Sequence, residues 1–119
     1  MSIQFCYVLV MKLIKCIIQP HKLDEVVEKL QTIVTGMTVS EVRGYGHQKG
    51  HSILYRGLEY EVTLMPKAMI ELVTEDNKVD DVVKVVIETA RTGQIGDGRI
   101  FILPLAENYH VRTGFMDID

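Results

Sequence analysis

The hydrophobic pattern becomes readable at Lys12. Residues Lys12 to Gln19 are rich in isoleucine and free of turn formers, which predicts a strand, and Pro20 ends it. Leu23, Val26, Val27 and Leu30 then recur at i, i+3, i+4 and i+7, with Asp24, Glu25, Glu28 and Lys29 on the opposite side. That spacing predicts an amphipathic helix ending near Gly36. Thr38 to Arg43 alternates around Val39 and Val42, the mark of a second strand. Gly44 to Tyr60 has no clear period and is polar and glycine-rich; about 17 such residues inside a compact domain point to a functional loop. Glu61 to Leu64 and Met69 to Val73 read as strand-like runs on either side of Pro66. Val79, Val82, Val83, Val86, Ile87 and Ala90 return to helical spacing, with Asp76 or Asn77 placed to cap the helix. Their β-branched side chains oppose helix formation, but the 3.6-residue period decides the assignment. Arg99 to Leu103 is the last strand.

The order is strand, helix, strand, long loop, strand, helix, strand. This is a doubled βαβ pattern, an α+β ferredoxin-like βαββαβ sandwich. Two helices cover one face of a four-stranded sheet, yet Ile100 and Ile102 alternate with Phe101 and Leu103, and Ile14 and Ile18 with Leu13 and Ile17. Both faces are therefore apolar, and self-association is the economical cover for the second. Residues 1–10 are apolar, without a basic start or a small-residue cleavage site, and too short to span a bilayer. An added strand, a disordered tail and an upstream start-codon artefact all remain open for them, with the domain proper taken as 11–119. The lack of an export signal makes the cytoplasm the default location.

Composition narrows the class. The 119 residues suit one domain, and 47% hydrophobic with 24% charged residues is an ordinary globular balance. The formal charge of −3 argues against a general nucleic-acid binder. Cys6 and Cys16 are too few for a disulfide framework or a four-cysteine zinc site. Seven of the nine glycines fall in two clusters: Gly44, Gly46, Gly50 and Gly57, then Gly93, Gly96 and Gly98.

The second cluster, Thr92-Gly93-Gln94-Ile95-Gly96-Asp97-Gly98-Arg99, lies between a helix and a strand. Its glycines let backbone amides approach an anion, and Arg99 adds a planar charged fork suited to phosphate. It is not a Walker loop, since no Gly-Lys-Ser/Thr follows and the helix comes before it. A helix C-cap with a tight turn accounts for the same residues. His110 and Arg112 could complete a cationic pocket or simply lie on the surface. His47 and His51 stand four apart between glycines and match no zinc or nuclease motif. No nucleophile with a neighbouring base stands out.

From Met11 to about Gly114 the chain resembles the PII nitrogen-regulatory signal transduction proteins. Tyr55-Arg56-Gly57-Leu58-Glu59-Tyr60 matches their tyrosine-loop signature except at Leu58, where a small residue is usual. Thr92, Gly96, Asp97, Gly98, Arg99, Ile100, Phe101 and Ile102 match the C-terminal signature. Gly44 to His51 is similar to the base of the family's T-loop, here about 46–61, and Pro66-Lys67 follows at the expected spacing.

The resemblance implies a homotrimer that is not an enzyme. Such a trimer senses ATP or ADP and 2-oxoglutarate in clefts between subunits. Its T-loop acts on an ammonium transporter or a nitrogen-metabolism enzyme, reaching membranes only through such a partner and involving no nucleic acid. Gly36, Met37 and Thr38 would hold the adenine. Phosphates would meet His47, Gly96, Asp97, Gly98, Arg99, His110 and Arg112. Gln48 would ligate Mg²⁺, shared with the phosphates and the acid. Lys67 would pair with the distal carboxylate of 2-oxoglutarate, with Gly46, Lys49 and Gly50 at its other end. Tyr60 matches the tyrosine uridylylated in many relatives, and Tyr55, Arg56 and Leu58 would contact the partner, Arg56 as a channel plug.

Two departures stand out. His47 and His110 occupy positions that usually carry arginine, and histidine with its ordinary pKa near 6.5 is mostly neutral at pH 7. Nucleotide binding that tightens as pH falls is the expectation. Leu58 also removes the serine phosphorylated in cyanobacterial relatives. A relative dedicated to a special target, such as nitrogenase or another transporter, is the alternative reading; a small phosphate-transferring or hydrolysing enzyme is a more distant one.

Overall fold

The computed structural model describes residues 10–45, 52–55, 58–61 and 64–116, with backbone only for the two short strands at 52–55 and 58–61. Strand β1 (Met11–Ile18) leads through a 3₁₀ turn (Pro20–Lys22) into helix α1 (Leu23–Leu30) and strand β2 (Thr38–Gly44). Two short strands, β3 (Ser52–Tyr55) and β4 (Leu58–Glu61), precede the long β5 (Met65–Glu75). A second 3₁₀ turn (Asp76–Lys78), helix α2 (Val79–Ala90) and strand β6 (Gly98–Leu105) complete the order.

The main sheet runs β2-β5-β1-β6, with every neighbouring pair antiparallel. This is the ferredoxin-like arrangement expected from the doubled βαβ pattern. Ile14, Cys16 and Ile18 on β1, and Ala68, Ile70 and Leu72 on β5, are buried beneath the helices. Val26 and Leu30 of α1 and Val82 and Val86 of α2 close the core over them. Burial of this valine face holds α2 together despite its poor propensity. On the opposite face Val73, Phe101 and Leu103 keep roughly two-fifths of their surface exposed, so that face is apolar and uncovered within one chain.

Four local expectations need correction. The stretch 44–60 is not irregular throughout, because β3 and β4 pair as a hairpin with Tyr55 opposite Leu58. Ser-Ile-Leu-Tyr and Leu-Glu-Tyr-Glu are strand formers around a two-residue Arg-Gly link, a pattern strong enough to outvote the surrounding glycines. Of the runs beside Pro66 only Met69–Val73 lies in β5, which itself passes through Pro66 beyond the reach of β1, where proline is tolerated, while Glu61 ends β4 and Leu64 lies outside both strands. Neither Asp76 nor Asn77 caps α2, since both lie in the 3₁₀ turn that feeds it and Lys78 is its N-cap without a side-chain bond. Asp80 and Asp81 in the first turn supply the favourable charge instead. Finally, α1 ends at Leu30 rather than near Gly36, with a turn at 31–33.

The closest backbone approach is at Gly98, which opens β6 at φ +124°, opposite Ile18. A Cβ added there would lie 1.8 Å from the Ile17 carbonyl oxygen. Gly98→Ala is therefore expected to lower stability by more than about 3 kcal/mol in denaturant titrations, because rigid backbone must move. Gly36→Ala, whose Cβ meets nothing within 4 Å, is expected to change it by less than about 1 kcal/mol. Equal effects would refute the assignment.

Cys16 is fully buried, and desolvation pushes its thiol up to about 11. At pH 8 it is expected to escape alkylation in the native protein and to react only after unfolding, as read by peptide mass mapping. Rapid native labelling of Cys16 would contradict this burial.

Candidate functional site

The loop after α2 is built around one carboxylate. Asp97 Oδ2 accepts hydrogen bonds from the Thr92 and Gly93 amides at 2.7 and 2.8 Å, while the Thr92 hydroxyl donates to Oδ1. Desolvation pushes the Asp97 carboxyl up, but the bonds from the Thr92 hydroxyl and the amides of Thr92, Gly93 and Gln94 prevail and hold it below the usual carboxylate range. Asp97 thus spends its charge inside the loop, setting its shape. Gly93, Gly96 and Gly98 all take positive φ around it.

The same loop is tied to the sheet through the Gly96 carbonyl. Lys67 Nζ donates to it at 2.9 Å from β5, and Gln19 Nε2 donates at 2.6 Å from the end of β1. Lys67 is only 6% exposed. Desolvation lowers its ammonium pKa, and the nearby Asp97 charge partly restores it. Its stem passes the end of β2, where a Cβ on Gly44 would meet Lys67 Cγ at 3.3 Å. A desolvated cation thus sits at the junction of β2, β5 and the glycine loop. An anionic ligand there would find a strong partner, because its bond to an ammonium is charge-assisted on both sides.

Two clefts lie on the chain, one beside this junction and one at the opposite end of β2 and β5. One, of about 420 Å³, is lined by Asp97, Gly98 and Arg99 together with Ile18, Val86 and Ile102. The other, of about 640 Å³, is lined by Gly36, Met37 and Thr38 with Leu13, Glu71 and Val73. Thr38 pairs with Glu71, whose carboxylate lies 3.8 Å from the Lys15 ammonium. Three strand spacings across β5 and β1 and three residues along β6 put Thr38 and Gly98 roughly 17 Å apart. One chain thus separates the expected adenine-binding residues from the expected phosphate-binding loop.

The remaining expected residues divide clearly. His110 and Arg112 sit in an exposed C-terminal turn, where the Gly114 amide donates to the His110 carbonyl and the His110 amide to Phe115. Tyr55, Leu58 and Tyr60 lie on the β3–β4 hairpin. Gly46, His47, Gln48, Lys49, Gly50 and Arg56 lie outside the described residues. Gln19 and Gly44 were not singled out from sequence as site residues. The β1–β6 pairing would have found Gln19, because Ile18 opposite Gly98 leaves the next residue beside Gly96 and Asp97.

The fold and the loop together define a ferredoxin-like α+β domain that carries an anion-suited glycine loop at the end of its sheet. The family profile described as nitrogen regulatory protein P-II matches residues 11–115, and the chain belongs to that family. It is 53% identical over 108 residues to nitrogen regulatory protein P-II 1 of Escherichia coli K12, covering 90% of this chain and 96% of that one. It is 51% identical over 105 residues to the P-II protein of Pasteurella multocida, covering 87% and 94%. Among solved structures it is similar to Arabidopsis thaliana PII bound to citrate, with a TM-score of 0.71, 32% identity and coverage of 90% and 85%. Among the described residues no helix is long and apolar enough to cross a membrane.

Loss of the Asp97 carboxylate should loosen the loop without unfolding the sheet. Asp97→Ala is expected to raise exchange of the Thr92 and Gly93 amides by about tenfold, the loss of charge-assisted bonds. In the wild type the folded-state pKa of Asp97 is depressed, so this stabilisation is present above the ordinary carboxylate pKa. It is lost as pH falls through the folded value, and the same amides should then lose protection once intrinsic rates are divided out. Protection unchanged in both cases would contradict the role assigned to Asp97.

Proposed function

We propose that this P-II protein senses ATP, ADP and 2-oxoglutarate as a homotrimer and relays their occupancy through residues 46–61 to an ammonium transporter or nitrogen-metabolism enzyme. The observation that carries the reading is the buried Lys67 ammonium bonded to Gly96, within the loop that also presents Gly98 and Arg99. It places a cation suited to a carboxylate beside backbone suited to phosphate. The citrate held by the Arabidopsis relative is a polycarboxylate, the same chemical class as 2-oxoglutarate.

The trimer explains two features of the single chain. The half-exposed Val73, Phe101 and Leu103 would be buried between subunits, and self-association would let Thr38 of one chain approach the 96–99 loop of another. Adenine would then rest on Gly36, Met37 and Thr38, and phosphates on Gly96, Gly98, Arg99, His110 and Arg112, with the Asp97 backbone beside them. Gln48 would hold Mg²⁺ against the phosphates and the acid, and His47 would lie at the phosphates. Lys67 would take one carboxylate of the acid, with Gly46, Lys49 and Gly50 at the other end. Ordering the loop base around that complex would decide which surface Tyr55, Arg56 and Leu58 offer a target, and Tyr60 would be open to uridylylation.

Calorimetry tests the reading. 2-Oxoglutarate is expected to bind with Mg²⁺ and ATP present and to bind much more weakly with ADP; uptake independent of the nucleotide would overturn it.

A further inference from the structure

The Gly96 carbonyl accepts two donors of unequal kind, Gln19 Nε2 at 2.6 Å and Lys67 Nζ at 2.9 Å. A carbonyl oxygen has two lone pairs, so both are accommodated at once. Gln19 is neutral, and its backbone is fixed: Pro20 follows it, its φ and ψ are extended at −66° and 137°, and its carbonyl accepts the Lys22 amide at 3.0 Å. Lys67 is a buried cation bonded to a neutral oxygen, a weaker arrangement than an ionic pair. The Asp97 carboxylate accepts from Thr92 and Gly93, and among the described residues it forms no ion pair with Lys67.

The two donors therefore respond differently to an arriving anion. A carboxylate draws the ammonium toward itself, whereas the amide of Gln19 has no reason to leave. If Lys67 were the only tie on Gly96, its departure would orphan a part-buried carbonyl and free the loop that the carbonyl anchors.

We propose that Gln19 is a positioning residue for the paired acid and nucleotide: its amide keeps the Gly96 carbonyl, and with it Gly98 and Arg99, in place when Lys67 turns to the carboxylate. This rests on the reading of Lys67 as the acid's partner. The site then has a movable donor and a fixed one on the same oxygen, and the phosphate loop keeps its position through acid binding. The linkage is reciprocal, so whatever holds the loop for the acid also holds it for the nucleotide bound alongside.

Two substitutions test it. Gln19→Met keeps the side chain's length and removes the donor, while Gln19→Ala removes both. 2-Oxoglutarate is titrated into each protein saturated with Mg²⁺ and ATP, and ADP is titrated into each protein without acid. The expected result is an acid affinity about tenfold weaker in both variants. ADP affinity stays within about twofold of wild type, because Lys67 still satisfies Gly96 when no acid is present. Unchanged acid affinity would overturn the proposal. So would equal losses for ADP and acid, which would make Gln19 a general support of the loop. A wild-type protein that takes up no 2-oxoglutarate with Mg²⁺ and ATP would instead overturn the reading of Lys67 before any substitution is made.

Discussion

The steric limit at Gly98 is the constraint on which the rest of the molecule depends. The Ile17 carbonyl occupies the space a side chain would need, so β6 can start against β1 only if that residue is glycine. The close pairing fixes the register of the two strands and delivers the preceding loop to the end of the sheet. There Gln19, from β1, and Lys67, from β5, both reach the Gly96 carbonyl. Asp97 completes the arrangement from within, holding the loop's own amides with a carboxylate that is ionised at neutral pH. A backbone contact in the sheet is thereby converted into a shaped, cation-bearing loop at its edge.

The architecture was legible because it follows from periodicity. Val26 and Leu30, and Val82 and Val86, lie on the buried faces that their spacing demands, and the strand alternation put Ile14 and Ile18 under the helices. What the pattern obscured was punctuation. Pro66 reads as a break but sits near the start of a strand, and the glycines of residues 44–60 mask the two strand formers that pair as a hairpin. Asp76 and Asn77 have capping chemistry but are consumed by a 3₁₀ turn, which no composition rule distinguishes from a helix N-terminus.

The site was legible in residue type and only in part in geometry. The glycine cluster with Arg99 announces an anion-suited loop, but residue type alone does not show that the Asp97 carboxylate accepts from the loop's own Thr92 and Gly93. Lys67 is marked in the sequence only by the family resemblance; its burial and its bond to a partner 29 residues away are products of the fold. Gln19 lies 77 residues from Gly96, a contact that exists only once β1 and β6 are paired. Long-range contacts of this kind are set by register, and register is a property of the whole sheet.

Within one chain the two groups of nucleotide-suited residues face separate clefts, so the account stands or falls on assembly. The most direct measurement is a crystal structure of the protein grown with ATP, Mg²⁺ and 2-oxoglutarate. The account predicts three chains about one axis, phosphates on Gly98 and Arg99 of one subunit, adenine on Thr38 of its neighbour, and the Lys67 ammonium on a carboxylate. A nucleotide held within a single chain, or a 2-oxoglutarate lying away from Lys67, would contradict it.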